Sequence, residues 1–170
     1  MQEPCSNIVL IGMPGAGKST IGVLLAKASL RRFVDTDVVL QARYGARLME
    51  LIEAWGMQRF REVEQQVLLE LEERNSVIAT GGSVVYSAAA MRHLQTQGRI
   101  VFLDVPLATL RERLGNMLQR GVVISPGQSL DDLFEERMPL YQRYAEQTVA
   151  CVGKSMEAVV TEIVDGLDNC

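Results

Sequence analysis

Short runs of aliphatic, mostly β-branched residues alternate along this chain with stretches whose apolar positions recur at helical spacing. The runs Ile8 to Ile11, Phe33 to Val34, Val77 to Ala79, Ile100 to Leu103 and Thr148 to Val152 predict strands. Between them the periodicity predicts helices over Lys18 to Ala28, Val38 to Tyr44, Leu48 to Ala54, Gln58 to Arg74, Ala88 to Gln97, Leu107 to Asn116, Leu130 to Glu146 and Met156 to Leu167. Ser129 followed by Asp132 opens the second-last of these in the manner of a capping box. This alternation is the rhythm of a parallel sheet covered on both faces, an α/β fold. Asn116 to Gln128 has no clear periodicity and carries Gly121, Pro126 and Gly127. Loops of that length serve as lids or as ordinary surface connections, and composition alone leaves both open.

With 170 residues, no internal repeat and no long linker, the chain makes one domain. It is 48% hydrophobic and 22% charged with a net charge of -4, which supplies a core and excludes a disordered or collagen-like segment. No apolar run approaches the ~20 residues of a membrane span. Ile8 to Ile11 follows Met-Gln-Glu-Pro and not a basic segment, so no secretory signal is indicated and a cytoplasmic location is expected. Cys5, Cys151 and Cys170 are odd in number and far apart, which fits free thiols better than disulfides or a metal knuckle. Lys18, Lys27 and Lys154 are the only lysines among 17 basic residues. Arg grips carboxylates and phosphates with a planar fork, although a compositional habit would produce the same excess. The acidic total argues against a nucleic-acid partner, so any bound anion should be small.

Gly12-Met13-Pro14-Gly15-Ala16-Gly17-Lys18-Ser19 matches Gly-x-x-x-x-Gly-Lys-Ser/Thr and lies between a predicted strand and a predicted helix, the context a P-loop requires. Its glycines let successive N–H groups turn toward phosphate oxygens, and the following helix adds the positive end of its dipole. Gly12, Gly15, Ala16, Gly17, Lys18, Ser19 and Thr20 are the expected nucleotide contacts. Lys18 should reach the β- and γ-phosphates, and the Ser19 hydroxyl should serve magnesium. No Asn-Lys-x-Asp guanine signature is present and the chain is short for a motor, so a small-molecule or nucleotide kinase is the leading class.

Ligands of parallel α/β sheets bind beyond the carboxyl ends of the strands, and the residues there are distinctive. Asp35-Thr36-Asp37 follows the second strand. One carboxylate suits a magnesium-bound water and the other a substrate hydroxyl, while a turn or helix cap would use the same residues. Thr80-Gly81-Gly82-Ser83 follows the third strand, either as a plain turn or as a place where a ligand nears the backbone. Arg137 lies on the face that carries Leu133, Phe134, Met138 and Tyr141, and an inward Arg needs either an anionic ligand or a structural carboxylate. Arg61 precedes Glu64 by three residues, so mutual attraction could hold the pair rigid, or it is a solvated ion pair. His93, the single histidine, reads as a helix-surface residue.

Together with Phe60-Arg61-Glu62-Val63-Glu64, Arg120 and Arg137-Met138-Pro139-Leu140-Tyr141, these motifs resemble the shikimate kinase family over nearly the whole chain. The resemblance implies a nucleoside-monophosphate-kinase-type fold with five parallel strands in the order 2-3-1-4-5, acceptor-binding helices over about 37–74 and a lid over about 116–128. It implies that Asp37, Arg61, Gly81, Gly82 and Arg137 meet shikimate, the two arginines on its carboxylate. Ser19 and Asp35 would serve Mg2+, Arg120 would reach from the lid to the transferring phosphoryl group, and Arg113 would stack near adenine. The chain departs from the family pattern at Ser83, where a third glycine is usual. It departs again at Arg120-Gly121-Val122-Val123 in place of Arg-Pro-Leu-Leu, and on the adenine side at Ala150-Cys151 and Met156.

The expected reaction is phosphoryl transfer from ATP to the 3-hydroxyl of shikimate, in aromatic amino-acid biosynthesis, with Lys18, Asp37 and Arg120 as the catalytic residues of a monomer. A paralogous kinase acting on another hydroxy acid, gluconate or a nucleoside monophosphate is the near alternative. A nucleotide-binding regulatory P-loop protein is the alternative of a different class.

Overall fold

The computed structural model of the chain describes residues 7–115 and 127–167. Five strands, β1 (Asn7–Ile11), β2 (Arg32–Asp35), β3 (Ser76–Ala79), β4 (Gly98–Asp104) and β5 (Gln147–Ala150), form one parallel sheet in the order β2-β3-β1-β4-β5. Seven described helices connect and cover them: α1 (Lys18–Ala28), α2 (Thr36–Tyr44), α3 (Leu48–Leu69), α4 (Ala88–Gln97), α5 (Leu107–Gly115), α6 (Leu130–Tyr144) and α7 (Met156–Leu167). The order is the one the family resemblance implies. Every residue of β1 and β3 is buried, as continuous apolar strands require, whereas the edge strands β2 and β5 are partly exposed. Among the described residues no helix is long and apolar enough to cross a membrane.

The main core gathers β1, β3 and β4 with α1, α4 and α7, around side chains such as Leu10, Ile78, Phe102 and Ile163. A second cluster of Leu40, Leu51, Phe60, Val63 and Val67 joins α2 to α3, with Trp55 against it and edge-on to Tyr44 at 5.0 Å. The two helices expected from Leu48 to Ala54 and from Gln58 to Arg74 are one run broken at Gly56, whose backbone at φ 77° and ψ 161° is not helical. That run ends at Leu69, short of Arg74, because the chain must turn into β3. Leu71 N–H bonds back to the Leu68 carbonyl, and Asn75 adopts a φ of 50°. Helix α2 begins at Thr36, two residues before the expected start, because the Asp35 carboxylate caps it by accepting from the N–H groups of Asp37 and Val38. Ser129 and Asp132 form the expected capping box of α6.

The sheet leaves no room beside its first register pair. Asn7 and Gly98 are direct partners on β1 and β4, and a Cβ on Gly98 would lie 2.7 Å from the Asn7 carbonyl carbon. The obstructing carbonyl is backbone, so relief requires the strands to part. Substitution G98A should therefore lower unfolding free energy by about 1–3 kcal/mol, read as an earlier midpoint in urea denaturation. An unchanged midpoint would show that the strand pair yields freely at this end.

Candidate active site

The carboxyl ends of β1, β2 and β3 bring three short polar segments together. After β1 the chain enters the P-loop, where Gly15 and Gly17 sit at φ 80° and 92°, values an L side chain resists. Gly17 is the N-cap of α1, so the amino end of that helix points into the loop. Lys18 is buried and donates to the carbonyls of Gly12 and Met13, both at 2.8 Å. Burial draws its ammonium down to about 8, against the pull of Asp37 and with a further push from Arg137. Ser19 and Thr20 are exposed on the first turn of α1. Arg113, on α5, donates to the Gly15 carbonyl at 3.0 Å and so lies over the outer side of the same loop.

Asp35 takes the helix-cap role that its spacing allowed and also meets Ser19. One oxygen caps α2, while the other accepts from the Ser19 hydroxyl at 2.7 Å. A hydroxyl and a carboxylate thus converge at the head of α1, a hard-oxygen pair suited to a magnesium ion that keeps water and phosphate as its remaining ligands. Asp37 lies on the first turn of α2 and faces Lys18. Burial, reinforced by Asp35 and opposed by Lys18, pushes its carboxyl up to about 6.

The glycine pair after β3 is a place of close approach. A Cβ on Gly81 would lie 2.7 Å from Asp37 Oδ1 and 2.9 Å from Glu64 Oε1, and one on Gly82 would lie 2.6 Å from Arg137 Nη1. Thr36 Oγ1 accepts from the Gly81 N–H at 3.1 Å, and the Gly82 carbonyl accepts from Tyr141 Oη at 3.0 Å. Tyr141 is fully buried and stacked on Phe102, so α6 holds the glycine loop through a rigid ring.

Arg137 is 4% exposed and has no carboxylate within 4.0 Å among the described residues; its Nε donates to Tyr86 Oη at 3.2 Å. The structural ion pair that would have explained an inward Arg is therefore not formed with any described residue. Arg61 and Glu64 attract each other electrostatically but form no salt bridge among the described residues. Glu64 accepts instead from Ser83 Oγ at 2.5 Å, and the Arg61 guanidinium lies over the Tyr86 ring at 4.6 Å with its Nε buried and without a hydrogen-bond partner. Tyr86 is a neighbour of the site that the sequence reading did not pick out, and Ser83, Tyr141 and Thr36 entered that reading only as members of motifs, without a site role of their own. Arg120 lies outside the described residues, as do most of the expected lid, Cys5 and Cys170. Cys151 is a buried free thiol. His93 is half-buried, 3.1 Å from the Leu71 carbonyl, a contact that joins α4 to the segment before β3.

Burial pushes the Glu64 carboxyl up to about 7, a change assisted by Asp37 and opposed by the Ser83 hydrogen bond and by both arginines. The folded chain thus retains a proton that the unfolded chain releases near 4.5, and stability falls as pH rises through that window. E64Q has no such proton to lose. Its unfolding free energy relative to the parent should rise by on the order of 1–3 kcal/mol between about pH 5 and pH 8, measured by denaturant titration. A difference that stays flat across that range would mean that Glu64 is already ionised at the low end.

Comparison with known proteins agrees with this geometry. A family model described as shikimate kinase matches residues 14–168. A shikimate kinase from Pasteurella multocida is 36% identical over 169 residues, which is 96% of this chain and 95% of the relative, and one from Vibrio parahaemolyticus is 37% identical over 96% of each chain. The solved structure of Acinetobacter baumannii shikimate kinase in complex with shikimate superposes with a TM-score of 0.89 at 32% identity, covering 98% of this chain and 95% of that one. A gluconokinase from Sinorhizobium meliloti shares the fold at a TM-score of 0.58 and 20% identity. The sheet order, the P-loop and the matched length together place the chain in the shikimate kinase family of ATP-using phosphotransferases with an alcohol acceptor.

Proposed function

We propose that the protein phosphorylates the 3-hydroxyl of shikimate with ATP. The observation that carries this reading is Arg137: a guanidinium almost wholly withdrawn from water, beside a glycine loop, with no carboxylate within ion-pair distance among the described residues. Such a charge is costly unless an anion joins it, and the carboxylate of the acceptor is that anion. Arg61 supplies the second cation, and the backbone of Gly81 and Gly82 borders the same space, open because neither carries a Cβ.

With its carboxylate on Arg61 and Arg137, the acceptor presents a ring hydroxyl toward Asp37, between that clamp and the P-loop. Asp37 accepts a hydrogen bond from the hydroxyl and takes its proton as the oxygen bonds to the γ-phosphorus and the bridge to the β-phosphate breaks. The raised affinity of Asp37 for a proton suits it to this role near neutrality. Lys18 exchanges its P-loop carbonyls for phosphate oxygens, and Arg113 borders the nucleotide on the side of Gly15. Ser19 and Asp35 would hold Mg2+, which when bound supplies positive charge to the phosphate oxygens. Arg120 is proposed to reach the transferring group from the lid. Ser83 adds a side chain on the acceptor side where a third glycine is usual, and its hydroxyl donates to Glu64.

A coupled assay of ATP consumption with shikimate, gluconate and nucleoside monophosphates tests the reading. Turnover with shikimate supports it, and turnover confined to another acceptor overturns it. R137A should raise the KM for shikimate by about 10–100-fold while the KM for ATP stays close to that of the parent. D37N should lower kcat by about 10²–10⁴-fold with nucleotide binding intact. In the parent enzyme kcat should decline as pH falls below about 6, where Asp37 takes up its proton, and a flat pH profile there would remove Asp37 as the base.

A further inference from the structure

Strands β2 and β3 pair for the last time at Asp35 and Ala79. One residue further on, the two chains part. Thr80 turns toward β1, where the Leu10 carbonyl accepts from both its N–H and its hydroxyl, and Thr36 enters the first turn of α2. The Gly81 N–H comes next in line and donates to Thr36 Oγ1 at 3.1 Å, away from solvent. A side-chain oxygen thus carries the association of the two strands one step beyond their end. Thr36 is only 5% exposed although it stands between two aspartates.

That bond spans the gap between the segment that carries Asp37 and the glycine loop. Asp37 follows Thr36 on α2, and its carboxylate lies against Gly81, where a Cβ would be 2.7 Å from Asp37 Oδ1. The body of α2 is anchored elsewhere. Its Leu40 packs in the second cluster with Leu51, Phe60, Val63 and Val67 of α3, apart from the main core that holds β3 and the P-loop residues Met13 and Ala16. Asp35 also reaches across to the main body by accepting from Ser19, but that contact is exposed, whereas the Thr36 bond is buried. A hydrogen bond out of water is the stronger tie, and removing its acceptor leaves an N–H that solvent cannot satisfy.

We propose that Thr36 is a positioning residue for phosphoryl transfer: its hydroxyl oxygen, bonded to the Gly81 N–H, sets the spacing between the Asp37 carboxylate and the glycine loop that borders the acceptor. The inference rests on the reading of Asp37 as the base that receives the acceptor's hydroxyl proton. In this role Thr36 need touch neither the acceptor nor the nucleotide. The acceptor's carboxylate is gripped by Arg61 and Arg137, so loss of the Thr36 bond leaves binding largely in place and spoils the alignment of the hydroxyl, on which the rate depends most steeply.

Steady-state kinetics of the full-length chain with shikimate and ATP provide the test, at a temperature where circular dichroism shows each variant folded. T36V keeps the branched shape and removes the acceptor oxygen. Its kcat should fall by about 10-fold or more, with the KM for shikimate within about threefold and the KM for ATP within about twofold of the parent. T36S returns the oxygen without the methyl group and should recover kcat to within about threefold of the parent. Should T36V not fold, T36A set against T36S carries the same contrast. A parent-like kcat in T36V, whatever its denaturation midpoint, would reduce the hydroxyl to a structural part and overturn the inference. A kcat in T36S as low as in T36V would overturn it too, because the methyl group and not the oxygen would then matter. So would a raised KM for shikimate at unchanged kcat, which would place Thr36 in binding and not in alignment. D37N separates these outcomes from the reading beneath them: parent-like T36V beside an impaired D37N leaves Asp37 standing as the base, whereas a parent-like D37N overturns the base and the positioning role together.

Discussion

The carbonyl oxygen of Leu10 joins the two halves of the site. It accepts from both the backbone N–H and the hydroxyl of Thr80, at 3.2 and 2.9 Å, at the point where β1 and β3 stop pairing as strands. Two residues beyond Leu10 the P-loop begins, and one residue beyond Thr80 the glycine pair begins. The separation between the phosphate cradle and the acceptor loop is therefore fixed by a hydrogen-bonded strand end whose residues are buried on both sides of the sheet. Phosphoryl transfer depends mainly on alignment, so a reference point in the most rigid layer of the fold is where that alignment is best anchored.

Around this anchor the charges are interleaved. Lys18 feels Asp37, Asp35 and Arg137, Asp37 feels Asp35 and Lys18, and Glu64 feels Asp37 and both acceptor arginines. Burial moves Lys18 down and the two carboxyls up, so each group is drawn toward its neutral form, and the range over which the cluster exchanges protons is brought near neutrality. The protein's net charge of -4 has little part in this, because these groups act on one another at short range and out of water.

Much of this was legible in the sequence. A P-loop declares itself by spacing, the strand-helix alternation gives the parallel sheet, and the apolar face of α6 places Arg137 inward without any knowledge of its surroundings. Partnerships across elements were harder to read. Glu64 and Ser83 are 19 residues apart and meet only once the turn after β3 comes against α3, whereas Arg61 and Glu64 are one turn apart and look like a pair on any helical wheel. Tyr86 sits in a turn too short to have a periodic signature. The start of α2 shifted because a side-chain cap outranked apolar periodicity, and α3 ended early despite good helix formers from Glu70 to Arg74 because the sheet required the chain to reverse.

The break at Gly56 and the second apolar cluster would give the proposed carboxylate clamp a mechanical character. Arg61 is carried between Phe60 and Val63, which belong to the α2–α3 cluster, while Arg137 is carried between Leu133 and Tyr141, which belong to the main core. The jaws of the clamp are thus mounted on two separately packed bodies, with α3 as the beam that enters both. A change in jaw spacing would fall on the seam between the cores, where the ring of Tyr86 lies against both guanidinium groups and the hydroxyl of Ser83 reaches Glu64 on α3.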